Sequence, residues 1–173
     1  GVSVDPRVQQ AVRETRGSVL TTQGRLLRAY YSSTCGGRAS SAKDVWPTTK
    51  GFEFNLDEPL QGHAACEFCS ASPLYRWNVA RQRDDLTRRF TAFGRDNGVG
   101  VRNIKSFTGA SASAFNEHGR PTQYKVYDSD GSWWPLSAEQ LRTACNWTGS
   151  SGRPAVTRQE RVNSGDATFT LQN

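Results

Sequence analysis

Four side chains of the metal-binding type constrain this chain most. His63, Cys66 and Cys69 lie within seven residues in the segment GHAACEFC, and Cys35 stands upstream in YYSSTCGGRAS. The whole chain has only four Cys and two His, so this clustering takes up most of them. A tetrahedral zinc site needs four such ligands, commonly with one short Cys-x-x-Cys pair. The same cysteines would instead pair in a disulfide framework.

Length and composition favour one folded domain. Of the 173 residues, 35% are hydrophobic, and 5 Trp, 5 Tyr and 8 Phe supply the bulk for a core, so disorder is a poor interpretation. The formal net charge is +6, and the basic residues are spread along the chain. From charge alone a nucleic acid, a polyanionic cell-wall matrix and an ordinary soluble surface all stay open.

Targeting signals are missing from the sequence. No apolar run approaches the roughly 20 residues that a membrane span needs. The chain also contains no methionine, which predicts a processed or trimmed fragment whose targeting segment would precede Gly1.

Three segments predict helices. Asp5 is a suitable cap and Pro6 a suitable first residue for a helix over RVQQAVRETRG, with Gly17 expected at its exit. Ser137 and Gln140 form a capping box that opens AEQLRTACNW. In the third segment, RQRDDLTRRFTAFGRDNG, Gly94 is expected near the helix exit. Apolar residues there recur at i, i+4 and i+7, and they are Leu86, Phe90 and Phe93.

Short strands account for most of the remainder. SVLTT and RLLRAYYSS predict a hairpin joined at Gln23-Gly24, and PTQYKVYDSDGSWWPL predicts two strands broken at Asp130-Gly131. GVRNIKSF and ATFTLQ also predict strands. Residues 47–73 show no period and include the Cys/His cluster, which is typical of a stapled or functional stretch. The expected fold class is α+β, mainly short antiparallel strands with about three helices, in a single domain fragment.

The segment AVRETRGSVLTTQGRLLRAYYSSTCGGRASSAKDVWP resembles the stage II sporulation protein D family (the SpoIID/LytB domain). That family has a helix ending in Thr-x-Gly, a hairpin, an aromatic strand, a Ser-rich Cys-Gly-Gly loop and a Val-Trp. The matching residues are Thr15, Gly17, Tyr30, Tyr31, Ser32, Ser33, Cys35, Gly36, Gly37, Val45 and Trp46. Weaker matches follow in the same order in CSASPLYRW, HGRPTQYKV, LSAEQLRTACNW and VNSGDATFTLQ, so the resemblance covers nearly the whole chain.

The resemblance implies an extracytoplasmic bacterial protein, in the periplasm, in the cell wall or secreted, that acts on peptidoglycan. The best-known family activity is lytic transglycosylase cleavage of glycan strands stripped of stem peptides. A related member is described as an amidase enhancer. The implied partners are therefore peptidoglycan glycan strands and a cell-wall amidase, with no nucleic acid.

Two family segments do not occur in this chain. The family's catalytic Glu lies in a segment that would precede Gly1, and a Gly-His-Gly-Val-Gly-like stretch would follow Asn173. We therefore expect residues 1–173 to be a SpoIID-like domain truncated at both ends. The sequence assigns no catalytic residue, and whether the chain is an enzyme stays open.

The Cys/His cluster has two main interpretations. Some sporulation members of the family bind zinc through one His and two Cys close in sequence, which is the composition of His63, Cys66 and Cys69. Zinc with Cys35 or a water as the fourth ligand is the first interpretation. A disulfide between Cys35 and either Cys66 or Cys69 is the second, and free thiols are the third. Zinc or a disulfide would staple the long irregular stretch.

Candidate substrate-binding residues lie in the loop YYSSTCGG. The hydroxyls of Ser32, Ser33 and Thr34 suit sugar hydroxyls or N-acetyl groups, while Gly36 and Gly37 allow the turn. Alternatively, the hydroxyls satisfy the loop's own backbone. Aromatic rings suit the apolar faces of sugar rings, with core packing as the alternative for each. The aromatic candidates are Trp46, Tyr75, Trp77, Trp133 and Trp134.

No acidic residue lies in a motif that marks a catalyst. A lytic transglycosylase needs one carboxyl that protonates the glycosidic oxygen, with a pKa raised by burial. A solvated or ion-paired surface acid is the favoured interpretation of every candidate. The candidates are Glu14, Glu53, Asp57, Glu58 and Glu67. Cys145, beside Trp147 in a helical segment, is predicted to be a small buried hydrophobe.

Three functions compete. The first is a peptidoglycan-acting domain with lytic transglycosylase-type cleavage of denuded glycan strands in the intact parent protein. The second is a non-catalytic cell-wall binding or amidase-enhancer module. The third is a zinc-dependent nucleic-acid binder, which is disfavoured because a zinc ribbon uses two Cys-x-x-Cys pairs and this chain has one.

Overall fold

The structure, a computed structural model, describes residues 4–32, 34–62 and 67–170. In these ranges the helices are α1 (Pro6–Glu14), α2 (Ala42–Val45), α3 (Arg83–Asn97) and α4 (Ala138–Cys145). The strands are β1 (Thr21–Thr22), β2 (Arg25–Leu26), β3 (Phe107–Phe115), β4 (Pro121–Asp128) and β5 (Trp133–Ser137). Short 3₁₀ helices cover Glu53–Leu56, Glu58–Leu60, Gly100–Asn103 and Gly149–Ser151. These elements confirm the α+β fold class.

The core lies between a three-stranded antiparallel sheet and the two longer C-terminal helices. Strand β4 is central, with β3 and β5 on either side. Helices α3 and α4 contact each other, α3 contacts β3, and α4 contacts β4 and β5. The buried core residues are Leu86, Phe90, Phe93, Val101, Ile104, Phe107, Tyr124, Val126, Leu136, Leu141, Ala144, Cys145 and Val162. The prediction that Cys145 is a buried hydrophobe is confirmed.

The predicted N-terminal elements form, although they are short. The Asp5 carboxylate accepts a hydrogen bond from the Arg7 backbone N–H, with Pro6 as the first helical residue, so the predicted cap is confirmed. The hairpin turns at Gln23 and Gly24, whose φ values of 50° and 74° are both in the left-handed region. Two such residues match the turn that joins twisted strands most easily. No residue of α1 is buried.

Helix α3 buries the predicted apolar stripe but ends later than expected. Leu86, Phe90 and Phe93 are all buried. Gly94, expected near the exit, lies inside the helix, and Gly98 caps it with a left-handed φ of 68°. A Cβ on Gly94 would lie 2.7 Å from the Arg102 Cα. The glycine therefore allows the close approach of α3 to the next 3₁₀ helix rather than helix termination.

Two strand predictions are wrong, and strand β3 was not predicted. In GVRNIKSF the buried residues Val101 and Ile104 are three apart, which suits the observed 3₁₀ turn better than an alternating strand. Residues 167–170 of ATFTLQ form no strand, although Phe169 packs edge-on against Phe107 with ring centroids 6.0 Å apart. Strand β3 reads FTGASASAF, whose small residues give a weak strand signal, and its pairing with β4 supplies the stability.

Helices in the described part of the chain are all too short or too polar to cross a membrane.

Candidate functional site

The loop that carries Cys35 turns on two glycines. Gly36 and Gly37 have φ values of 66° and 93°, conformations that side chains with a Cβ rarely adopt. A Cβ on Gly37 would also lie 2.7 Å from the Tyr75 hydroxyl oxygen. Tyr75 therefore packs directly on the loop, and both glycines are required by the backbone path. Their predicted role in the turn is confirmed.

Side chains from distant segments hold this loop, which we call the Cys35 loop (residues 34–41). Arg76 Nη1 donates a hydrogen bond of 2.7 Å to the Gly36 carbonyl. Arg120 Nη1 donates one of 2.6 Å to the Arg38 carbonyl. The Arg38 guanidinium in turn pairs with Asp166, with an Nη2–Oδ1 distance of 2.8 Å. The loop is thereby fixed to three other parts of the fold.

Arg120 is the most buried of these tethers. Its side chain is 14% exposed, and Nη2 donates a 2.9 Å hydrogen bond to the Ser164 hydroxyl. Burial lowers the pKa of Arg120, an effect that nearby Asp166 partly opposes. Arg120 lies in HGRPTQYKV, one of the weaker matches to the family, but nothing local in that segment indicates a partner 82 residues away. Arg120 and Asp166 are therefore the site residues that sequence reasoning missed.

The segments of the Cys/His cluster lie next to one another. The Thr34 and Ser72 hydroxyls are 2.9 Å apart, which joins the Cys35 loop to the turn containing Cys69. The Gly62 backbone N–H donates 2.8 Å to the Ser41 hydroxyl. A Cβ on Gly62 would lie 2.6 Å from the Ala39 carbonyl oxygen. The chain therefore passes close to the Cys35 loop immediately before His63.

The ligand set itself is only partly described. Cys35 and Cys69 are half-buried, whereas His63 and Cys66 lie outside the described residues. Among the residues that are described, no group of three or more His, Cys, Asp or Glu side chains is arranged to hold a metal ion. Zinc and disulfide both remain predictions for this cluster.

The predicted sugar-binding hydroxyls differ in their surroundings. Ser32 is exposed, Thr34 is half-buried and bonded to Ser72, and Ser33 lies outside the described residues. Gly36 and Gly37 are half-buried in the turn. The Thr34 hydroxyl thus has an internal partner, while the Ser32 side chain faces solvent.

The aromatic candidates divide into core and surface residues. Trp77 and Trp134 pack against the core, so for both residues the core-packing alternative applies. Trp46 stacks on Tyr30 with ring centroids 3.7 Å apart and planes 3° apart. We call these two residues the aromatic pair, and each residue is about 40% exposed. The Tyr30 hydroxyl donates to the buried Asn55 side chain, which fixes the orientation of the pair.

Hydrogen bonds lower the pKa of several carboxyl groups in the described residues. Hydrogen bonds from Lys105 and Ser132 lower the pKa of Asp130, and a side-chain hydrogen bond from Thr157 lowers that of Glu160. For Asp128, burial alone would raise the pKa, but three backbone N–H groups outweigh it and lower the value. Hydrogen bonds also lower the pKa values of Asp5, Asp85 and Asp96.

The acids considered from the sequence have surface or paired positions. Glu14, Glu53, Glu58 and Glu67 are exposed. Asp57 is paired with Arg25. This agrees with the favoured interpretation of these acids as solvated or ion-paired.

Comparison with protein-family models, curated proteins and solved structures finds no match for this chain.

Proposed function

We propose that this chain is a SpoIID-like domain of an extracytoplasmic protein that binds peptidoglycan glycan strands. In the intact parent protein the domain serves lytic transglycosylase-type cleavage of denuded strands. The observation that carries the proposal is the exposed aromatic pair, whose members Tyr30 and Trp46 flank the Cys35 loop in the sequence, together with the three contacts that hold that loop. Zinc bound by Cys35, His63, Cys66 and Cys69, or a disulfide from Cys35 to Cys66 or Cys69, completes the staple.

Rigidity and exposure together support a binding surface. A loop held by Arg76, Arg120 and the Arg38–Asp166 pair loses little conformational entropy when a ligand binds. Tyr31, next to the aromatic pair, is 92% exposed and adds an apolar ring beside the exposed Ser32 hydroxyl. Aromatic rings with adjacent polar groups match sugars, which have apolar faces and hydroxyl edges.

A non-catalytic cell-wall binding or amidase-enhancer module is the second candidate. It requires no general acid in this chain, and the pKa values of Asp128, Asp130 and Glu160 are lowered, whereas a group that protonates a glycosidic oxygen needs a raised pKa. The two candidates share the glycan-binding surface and differ only in whether cleavage follows.

Replacing Trp46 or Tyr31 with alanine is expected to weaken binding to denuded glycan strands about tenfold, or about 1.4 kcal/mol. Both substitutions remove exposed aromatic surface beside the loop. Binding is measured by co-sedimentation with purified glycan strands over a range of protein concentrations. Because Tyr31 is almost fully exposed, its replacement should leave the melting temperature unchanged.

Trp133→Ala is the matched control for these variants. Trp133 is also about half exposed, at 48%, but it lies on β5 under the Lys125 ammonium group. Its replacement should leave glycan binding intact. Equal losses in Trp133→Ala and Tyr31→Ala would point to nonspecific hydrophobic adsorption and would sink the proposed surface.

A further inference from the structure

A cleft lined by arginines lies on a part of the fold that the proposed function does not use. The cleft has a volume of about 150 Å³ and is bounded by the start of α3 and by residues 153–160. Its polar lining comes from three arginines and two carboxylates. These are Arg81, Arg89, Arg153, Asp85 and Glu160.

Two of the arginines are buried, with their donors engaged by the protein. Arg89 is 4% exposed and donates from Nε to Asp85 Oδ2 at 3.0 Å, from Nη1 to the Trp147 carbonyl and from Nη2 to the Pro154 carbonyl. Arg81 is 6% exposed and donates to Asp85 Oδ2 at 2.5 Å and to the Glu160 carbonyl at 3.1 Å. These bonds fix both guanidinium groups in the wall of the cleft.

Arg153 differs from the other two arginines, because its side-chain donors make no hydrogen bond in the described residues. Its Nε lies 3.3 Å from Asp85 Oδ1, but this contact is an ion pair without hydrogen-bond geometry, and the buried Nε–H has no acceptor in the described residues. The side chain makes no other hydrogen bond to that part of the protein. The side chain as a whole is 29% exposed although Nε itself is buried, so part of the guanidinium side chain reaches the solvent. Buried N–H groups without acceptors are costly, and an arginine fork matches a planar or tetrahedral oxyanion.

Charge in the cleft favours an anion. Asp85 has two oxygens, and one of them already serves both Arg81 and Arg89. Burial by itself would raise the pKa of Asp85, yet the hydrogen bonds from these arginines outweigh it and keep the pKa below its ordinary value. The Glu160 carboxylate is occupied by the Thr157 N–H and hydroxyl. Three cations thus face two carboxylates that already have partners.

We propose that this cleft binds a small oxyanion, either a phosphate or a carboxylate group, through the donors of Arg153 that make no hydrogen bond in the described residues. The field of Arg81 and Arg89 strengthens the attraction. The site is independent of the aromatic pair and of the glycan-binding proposal. A purely structural role, in which the arginines only join α3 to the 147–160 segment, is the competing account.

The test is an NMR titration of the ¹⁵N-labelled protein that follows the arginine Nε–Hε signals. Inorganic phosphate and lactate are added separately up to about 10 mM, with ionic strength held constant by sodium chloride. We expect a saturable shift of the Arg153 signal with at least one of the two probes. Saturation by phosphate alone assigns the site to tetrahedral anions, and saturation by lactate alone assigns it to carboxylates.

Arg153→Gln and Arg88→Gln are the matched pair of variants. Both remove one positive charge, but Arg88 is exposed on α3 and does not line the cleft. We expect Arg153→Gln to abolish the saturable shifts of the neighbouring backbone amides and Arg88→Gln to retain them. Absence of saturation in the unmodified protein, or equal responses in the two variants, overturns the proposal.

Discussion

Replacing Gly94 with alanine is expected to destabilise the protein by about 3 kcal/mol or more. The new Cβ would lie against the backbone N and Cα of Arg102, which cannot swing away as a side chain would. The higher helix propensity of alanine offsets only about 1 kcal/mol of this destabilisation. In a chain of this size, each kcal/mol of destabilisation lowers the melting temperature by about 2–4 °C, so the unfolding midpoint should fall by roughly 10 °C.

Gly98→Ala provides the comparison for this prediction. Gly98 caps the same helix with a φ of 68°, but a Cβ there would meet no atom within 4 Å. Its cost is therefore only that of the left-handed backbone, about 1 to 2 kcal/mol. Thermal or urea unfolding of both variants checks the order. If Gly94→Ala were as stable as Gly98→Ala, the close packing of α3 on the following turn would be contradicted.

Replacing Cys69 with serine is expected to destabilise the protein by about 2–5 kcal/mol where Cys69 is a zinc ligand or is bridged to Cys35, because the structural metal or the disulfide would be lost. With a Cys35–Cys66 bridge, the loss is expected for Cys66→Ser instead. Cys69 lies in a turn joined to the Cys35 loop through the Thr34–Ser72 hydrogen bond. Loss of the staple should therefore also broaden NMR signals of the loop. The exposed neighbour Ser70, replaced by alanine, serves as the control and should leave stability unchanged.

Metal content and thiol counts distinguish the forms of the staple. Zinc predicts one metal ion per chain and four reactive thiols after denaturation, whereas a disulfide predicts no metal and two reactive thiols. In the folded protein Cys145 should be unreactive in either case, since burial raises its pKa to about 12. The staple would be contradicted if the protein carried no metal as purified and still showed four reactive thiols when denatured without a reducing agent.

Local signals explain most of what the sequence predicted correctly. The Asp5 cap, the Ser137–Gln140 capping box and the Asp130-Gly131 turn each depend on residues within a few positions. The chain adopts them because a few backbone groups must be satisfied at each helix end or turn. The same holds for the apolar stripe of α3.

Long-range packing explains what the sequence could not predict. Strand β3 has weak intrinsic strand preference and exists because β4 pairs with it. The Arg120 tether to the Cys35 loop spans 82 residues between its guanidinium and the Arg38 carbonyl. The role of Gly94 could not be predicted for the same reason. From the sequence alone, a glycine that ends a helix cannot be distinguished from one that allows close packing. Only the positions of Arg102 and Gly98 distinguish the two.

Titration of denuded glycan fragments against the ¹⁵N-labelled protein tests glycan binding most directly. We predict saturable shifts in Tyr31, Ser32, Gly36, Gly37 and the indole N–H of Trp46, at millimolar or lower fragment concentrations (about −4 kcal/mol or stronger). Gly36 and Gly37 belong to the Cys35 loop, Trp46 belongs to the aromatic pair, and Tyr31 and Ser32 lie between Tyr30 and the loop. No shift at millimolar fragment, or shifts confined to residues elsewhere, would contradict the proposed glycan-binding function.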